Sequence, residues 1–254
     1  MFSPALFLAA LGIGVLIGGV GIGGVLLLPA LNALGGVALH AAIPACMLAY
    51  LGSGAVGTLV YARHNSVDWR MAAGLCAGGA PGAYLGAALL PHVSAVALEW
   101  GIAALLVGSG WYALAGPRPE SRPANSRPAK SAPPARAASM AVTGFLVGVG
   151  SALTGTGGPL LLIPILVWRR LPMLTAVGLA QVIQIPVAAL ATLGNAAHGQ
   201  VDWQLGAWLA LAMVSGVAVG GKIAHALPGA TLHKLVAALL VAVGVLMAGG
   251  LLSN

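Results

Sequence analysis

Long stretches without a charged side chain limit what this chain can fold into. Residues 1–62, 71–98 and 137–168 contain no Asp, Glu, Lys or Arg. Each stretch exceeds the roughly 20 apolar residues that cross a bilayer as a helix. The whole chain is only 6% charged, whereas a soluble domain has about 25% charged residues. The sequence therefore predicts an all-α, polytopic integral membrane protein.

The net charge of +7 comes from basic residues in short connections between the apolar stretches. This placement is typical of the positive-inside pattern of membrane proteins and not of a nucleic-acid surface. We therefore expect the lipid bilayer as a partner and no nucleic acid.

The two halves of the chain are related by a shift of 134 residues. Residues 58–69 read TLVYARHNSVDW and residues 192–203 read TLGNAAHGQVDW, with seven identities in twelve positions. Between the halves, residues 116–136 are rich in Pro, Ser, Ala and Arg, which favours a flexible linker. We predict a first membrane repeat at 1–115, a linker at 116–136 and a second membrane repeat at 137–254.

Each repeat is predicted to contain three ordinary spans and one segment interrupted by glycine. The ordinary spans are residues 37–61, 69–90, 95–115, 173–195, 203–225 and 230–252. The interrupted segments are residues 3–34 and 138–168, and a single helix of some 32 residues would be about 48 Å long, against a hydrocarbon core of about 30 Å. Two short helices that meet at the glycines fit better, and they either cross twice or form a re-entrant hairpin.

The basic residues favour one orientation. If each interrupted segment enters and leaves on the same face, all 11 Lys and Arg residues lie on one side of the membrane, as the positive-inside rule prefers. A single crossing would divide them seven to four. We therefore predict two inverted repeats, a cytoplasmic linker and both termini outside.

These features resemble the TauE/SafE sulfite-exporter family of small anion permeases. The resemblance depends on the glycine-rich segment that opens each half, the duplication, the VDW motif and the basic linker. It implies a multi-pass protein of the bacterial inner membrane that moves sulfite, organosulfonates or related anions. The first half departs from the second in having Val25 where the second has Pro159, so the two interrupted segments need not contribute equally.

The glycine-rich segments are the candidate anion-binding site, because no Lys or Arg lies in the middle of a span. A helix that begins after a glycine turn presents unpaired N–H groups and about half a positive charge, which suits an oxyanion. The candidate residues are Gly21, Gly23, Gly24, Thr154, Gly155, Thr156, Gly157 and Gly158. The alternative is that these glycines only allow close helix packing.

Three further polar residues are candidates for substrate binding. Gln181 and Gln184 lie three residues apart on one helical face before Pro186, and an amide can donate to an oxyanion. The alternative is a hydrogen bond that only fixes helix packing. Tyr50 is equivalent to Gln184 in the first half and is a candidate donor there.

Histidine and carboxylate side chains give weaker signals. His40 follows the first interrupted segment and is a candidate for proton coupling, although a histidine at the membrane interface is commonly held by a backbone partner. Asp68 and Asp202 directly precede Trp69 and Trp203, and we expect these carboxylates to cap helix N-termini.

The combined interpretation is a secondary permease for small anions, most consistent with sulfite, organosulfonates or carboxylates, that works by alternating access. A channel or an accessory membrane subunit is the alternative. An enzyme is not expected, because the spans contain no HExxH motif, paired carboxylates or Cys/His set at ligand spacing. We expect no cofactor and no metal. A coupled proton or cation and a homodimer are both compatible with the sequence.

Overall fold

The computed structural model describes residues 3–115, 134–169, 171–199 and 201–226, together with positions 241, 242, 245 and 249. These described residues are helical with short connections. The helices are α1 (Pro4–Val20), α2 (Leu27–Gly35), α3 (Leu39–Arg63), α4 (Trp69–Leu89), α5 (Ala95–Ala115), α6 (Pro134–Thr154), α7 (Pro159–Trp168), α8 (Met173–Ala197) and α9 (Trp203–Ala226). Single 3₁₀ turns lie at Gly24–Leu26 and Leu90–His92. The predicted polytopic, all-α class is confirmed.

Four of the described helices are long and apolar enough to cross a bilayer. The corresponding stretches are Leu39–Arg63, Trp69–His92, Leu174–Ala197 and Trp203–Ile223. The span expected at 230–252 falls outside the described residues, apart from the four positions named above. The expected linker also lies outside them up to residue 133, and its last three residues differ from expectation because α6 already begins at Pro134. Proline suits the first helical position, where its missing N–H has no intrahelical partner.

Each glycine-interrupted segment consists of two shorter helices. In the first half α1 is followed by α2, and in the second α6 is followed by α7. The second member of each pair is short, with 9 residues in α2 and 10 in α7. At about 1.5 Å per residue these helices are roughly 14–15 Å long, which is half of a hydrocarbon core of about 30 Å.

Glycine seams join each interrupted segment to the opposite half. A Cβ at Gly14 of α1 would lie 2.6 Å from the carbonyl oxygen of Met213 in α9. Under the shift of 134 residues this pair becomes Gly148 of α6 and Gly79 of α4, which are also in backbone contact. Further pairs that follow the same shift are Gly82 with Phe145, Gly86 with Val149, Gly216 with Leu11 and Gly220 with Val15. These glycines let helix backbones approach closely, as small residues do in membranes.

Helices α3 and α8 pack against each other in the middle of the bundle. Gly54 of α3 faces the side chain of Gln184, whereas Gly57, one turn later, faces the side chain of Gln181. Moving forward along α3 therefore means moving backward along α8. These two equivalent helices run antiparallel, and α8 also packs on α4 while α3 packs on α9.

Matching carboxylate caps begin α4 and α9. The Oδ1 atom of Asp68 accepts hydrogen bonds from the N–H groups of Arg70 at 3.1 Å and Met71 at 3.2 Å. The Oδ1 atom of Asp202 accepts one from the N–H of Leu205 at 2.9 Å. The expected capping role is therefore confirmed, and each carboxylate satisfies N–H groups that a helix start leaves unpaired.

Candidate functional site

The first glycine turn lies between α1 and α2. Helix α1 ends as Gly21 adopts a left-handed conformation with φ of 73°, and the N–H of Gly21 donates to the carbonyl of Ile17 at 2.9 Å. The chain then enters the 3₁₀ turn at Gly24–Leu26. A Cβ at Gly24 would lie 2.8 Å from the carbonyl oxygen of Thr156. The first turn therefore touches the second turn directly.

The second glycine turn lies between α6 and α7. Three of its glycines have positive φ: Gly155 at 63°, Gly157 at 77° and Gly158 at 110°. L-residues rarely adopt these angles, so the backbone itself requires glycine here. Helix α7 then begins at Pro159.

Tyr50 of α3 connects the two turns. Its side chain is fully buried, and its hydroxyl donates to the carbonyl of Gly24 at 2.5 Å. Its ring covers Gly157, where an added Cβ would lie 2.9 Å from the ring atom Cδ2. The phenol proton is therefore directed to the protein backbone. Tyr50 holds the two turns together, and its side chain packs beside Gly24 in the first turn.

Gln181 and Gln184 use their amide N–H groups to tie helices together. Nε2 of Gln181 donates to the carbonyl of Ile17 in α1 at 2.9 Å. Nε2 of Gln184 donates to the carbonyl of Tyr50 at 3.0 Å and to Oγ of Ser53 at 2.8 Å. Both side chains are buried, and their Oε1 atoms have no partner within the described residues. The amides thus form the packing hydrogen bonds that were the alternative interpretation of these residues, and their Oε1 atoms remain as acceptors.

A cluster of three hydroxyl groups lies at the end of α6. Oγ1 of Thr154 is 3.2 Å from Oγ1 of Thr156, which is 3.5 Å from Oγ of Ser151. Thr154 also donates to the carbonyl of Gly150 at 2.6 Å. The sequence analysis missed Ser151, although its position three residues before Thr154 places both on one face of a helix. The equivalent positions in the first half are Ile17, Val20 and Ile22, so this hydroxyl cluster exists in the second half alone.

The start of α7 offers N–H groups beside these hydroxyls. Within the described part of the chain, the N–H groups of Gly157, Gly158 and Leu160 have no acceptor. A Cβ at Gly158 would meet nothing closer than 3.8 Å, where Ile183 and Oγ of Ser151 lie. Its equivalent Gly24 is closely covered. The second turn therefore combines N–H groups, hydroxyls and a helix N-terminus, which together suit a small oxyanion.

His40 lies away from both turns. Its Nε2 is 3.1 Å from the carbonyl oxygen of Val93, in the half-buried connection before α5. It precedes Tyr50 by ten residues of α3, which corresponds to about 15 Å along the helix axis. The structure therefore does not bring His40 together with the other candidate residues.

Comparison with known protein families matches residues 6–247 to the sulfite exporter TauE/SafE family. The chain belongs to this family. The match covers both glycine turns, the linker and all the described helices up to α9. No curated protein and no solved structure shows significant similarity to the chain.

Membership of the TauE/SafE family makes the protein a membrane transporter. The apolar helices described above agree with a multi-pass arrangement in the bilayer. Within this TauE/SafE chain, the glycine turn of the second half contains the hydroxyl cluster and the N-terminus of α7 described above.

Proposed function

We propose that the protein is a secondary permease that carries sulfite or a related small oxyanion and binds it at the second glycine turn. The observation that carries this proposal is the second turn itself, where Gly157 and Gly158 have positive φ and lead into the N-terminus of α7 beside Oγ of Ser151. The N–H groups of Gly157, Gly158 and Leu160 have no acceptor within the described residues, and the hydroxyls of Thr154 and Thr156 lie in the same turn. Such fixed donors replace the hydration of an anion without a buried cation.

The two turns have different roles in this proposal. Gly21, Gly23 and Gly24 form a turn whose free side is occupied by Tyr50 and the backbone of Thr156. Gly155, Gly157 and Gly158 form the turn that receives substrate. Gln181 and Gln184 position α1 and α3 around the site through their amide N–H groups.

The arrangement in the membrane follows from the inverted relationship of the repeats. Because α3 and α8 are equivalent and antiparallel, a pseudo-twofold axis in the membrane plane relates the halves. Helices α2 and α7 are too short to cross, so each interrupted segment is a re-entrant hairpin. All 11 Lys and Arg residues then lie on the cytoplasmic side of the inner membrane, with the linker inside and the termini outside.

Alternating access requires the contact between the turns to break and form. Tyr50 is bonded to Gly24 of one repeat and packed on Gly157 of the other. Movement of one repeat against the other separates these two contacts and uncovers the second turn. The phenol is therefore the group that closes the site in the present conformation.

Uptake of ³⁵S-labelled sulfite into proteoliposomes tests the proposal. We expect saturable uptake that accelerates when unlabelled sulfite is present on the opposite side, as for a carrier and unlike a channel. We expect Gly157→Leu to abolish uptake, because even the first added atom, Cβ, would lie 2.9 Å from the Tyr50 ring. Gly12→Leu is the matched control, since nothing lies within 4 Å of a Cβ at this exposed glycine. Uptake no greater than in empty liposomes, or equal uptake by a well-folded Gly157→Leu protein, refutes the proposed site.

A further inference from the structure

Each interrupted segment packs on a helix of the opposite repeat. Helix α1 of the first repeat lies along α9 of the second, and α6 of the second repeat lies along α4 of the first. A Cβ at Gly14 of α1 would lie 2.6 Å from the carbonyl oxygen of Met213, and a Cβ at Gly86 of α4 would lie 2.6 Å from that of Val149. A shift along either seam would bring a larger side chain onto a backbone carbonyl, which a close-packed interior does not accommodate. The two helices of each seam therefore move together.

Apolar side chains that fit against glycines add α3 to the first seam and α8 to the second. The Leu48 side chain of α3 lies against Gly206 of α9, where an added Cβ would be 2.7 Å from Cδ2. The Ile183 side chain of α8 lies against Gly79 of α4, where an added Cβ would be 3.0 Å from Cδ1. The short helices α2 and α7 contact α3 and α8, respectively. The result is a first bundle of α1, α2, α3 and α9 and a second bundle of α4, α6, α7 and α8, and the shift of 134 residues converts one bundle into the other.

The boundary between the bundles is polar. It lies between α3 and α8, where Nε2 of Gln184 donates to Oγ of Ser53 at 2.8 Å and to the carbonyl of Tyr50 at 3.0 Å. Gln181 also crosses the boundary, through its hydrogen bond to Ile17 of α1. The buried Oε1 atoms of both glutamines have no partner within the described residues, although buried acceptors almost always have one. A shift at this boundary can therefore exchange hydrogen bonds, whereas a shift within a bundle would create clashes at the glycines.

We propose that these two bundles, each built from helices of both repeats, are the bodies that move against each other in alternating access. The movement between repeats described above is then a movement between bundles that mix the two repeats. The contact between Tyr50 and Gly157 crosses the boundary, so movement there separates the two turns. Helix α4 of the first repeat consequently moves with the anion-binding turn of the second. The role of the bundles in transport rests on the proposed function, whereas their composition does not.

Disulfides from two nearby positions of α3 test which helices move together. Gly52→Cys with Ala210→Cys joins α3 to α9 within the first bundle, at a Cβ–Cβ distance of 3.8 Å, which is about the mean for disulfides. Gly54→Cys with Gln184→Cys joins α3 to α8 across the boundary, at a Cβ–Cβ distance of 3.2 Å. Both disulfides connect the first repeat to the second, but only the one at Gly54 connects the two bundles.

Uptake of ³⁵S-sulfite is compared between the oxidised and reduced forms of each variant. We expect the disulfide within the first bundle to leave uptake within about twofold of the reduced form, because it joins helices that move together. The disulfide across the boundary should lower uptake at least about tenfold until reduction restores it, because it locks the movement that alternates access. The single-cysteine variants are the controls for oxidation of the native Cys46 and Cys76, and mass spectrometry identifies the disulfide that forms.

Spin labels provide a second measurement, which decides if the variant with Gln184→Cys is inactive when reduced. The labels are attached at exposed positions through Leu8→Cys in α1, Leu85→Cys in α4, Leu146→Cys in α6 and Leu211→Cys in α9. The distance from Leu8 to Leu211 joins different repeats within one bundle, and we expect it to be the same with and without sulfite. The distance from Leu8 to Leu85 joins different bundles within one repeat, and we expect it to change. The pairs Leu85–Leu146 and Leu146–Leu211 repeat this comparison for the second bundle and the second repeat.

Three results would overturn the bundles as moving bodies. They are blocked uptake with the disulfide from Gly52 to Ala210, unimpaired uptake with the disulfide from Gly54 to Gln184, and distances that change within bundles while those within repeats stay constant. If the unmodified protein takes up no sulfite, the proposed transport function is refuted. The widths of the distance distributions then still test the bundles, since thermal movement between two bodies broadens the distances between bundles more than those within a bundle.

Discussion

Thr156→Val isolates one hydroxyl of the proposed anion site. Oγ1 of Thr156 has only long contacts, 3.2 Å to Thr154 and 3.5 Å to Ser151, so its removal disturbs the protein little. Valine has nearly the same shape, and the side chain stays buried without a cavity. A hydrogen bond to a charged group contributes about 1.5–3 kcal/mol. Since each 1.4 kcal/mol corresponds to about a factor of ten, we expect sulfite affinity to fall roughly 10- to 100-fold.

The assay is the concentration dependence of ³⁵S-sulfite uptake, together with the thermal unfolding temperature of each variant. Thr156→Ser keeps the hydroxyl and should retain most of the affinity. Ile22→Val is the matched change at the equivalent position of the first turn and should leave KM within about twofold, although loss of one methylene costs about 0.5–1.5 kcal/mol of stability. A KM for Thr156→Val within threefold of the unmodified protein, or an equal effect of Ile22→Val, would show that the anion does not bind at the second turn.

Other perturbations test packing separately from binding. Gly86→Ala places a Cβ 2.6 Å from the carbonyl of Val149, and overpacking of this kind should lower stability by about 1–3 kcal/mol in thermal unfolding, whereas Gly12→Ala should not. Gln181→Met removes the hydrogen bond to α1 and should cost about 1 kcal/mol of stability. The KM for sulfite should stay within twofold, because the lost N–H donates to the backbone of α1. A tenfold rise in KM would instead indicate substrate contact. Asp68→Ala should lower stability by about 1 kcal/mol through loss of the N-cap, and normal stability would show that the cap is dispensable.

Much of the fold could be predicted from sequence because its signals are local. Uncharged runs of membrane length predict spans, and five of the six predicted spans lie on described helices. The Asp68 cap depends on atoms two and three residues away, so it follows from the dipeptide before the helix. Glycine at 155 and 157 predicts a break because a positive φ is inexpensive for glycine alone. The start of α6 at Pro134 was not predicted, since the Pro-rich composition before it favours a linker.

The site could be predicted only in part. Sequence reasoning located both glycine turns and the amides of Gln181 and Gln184, but it left open whether the amide N–H groups bind substrate or fix helix packing. Their acceptors are backbone carbonyls 164 and 134 residues away along the chain, and no local pattern predicts such pairs. Ser151 was missed because a single serine in an apolar helix has no distinctive neighbours.

The sequence by itself determined that this chain crosses a membrane, that it is duplicated and that each half is interrupted by glycine, because hydropathy, repetition and backbone freedom are properties of the residues themselves. Only the tertiary structure decided which side chain packs into each turn. The phenol of Tyr50 fills the first turn by bonding to Gly24, 26 residues away, whereas Ile183 and Ser151 lie beside Gly158, each 3.8 Å from an added Cβ. Which side chain fills a space depends on how distant helices pack, and a repeated sequence does not specify that both copies are filled alike.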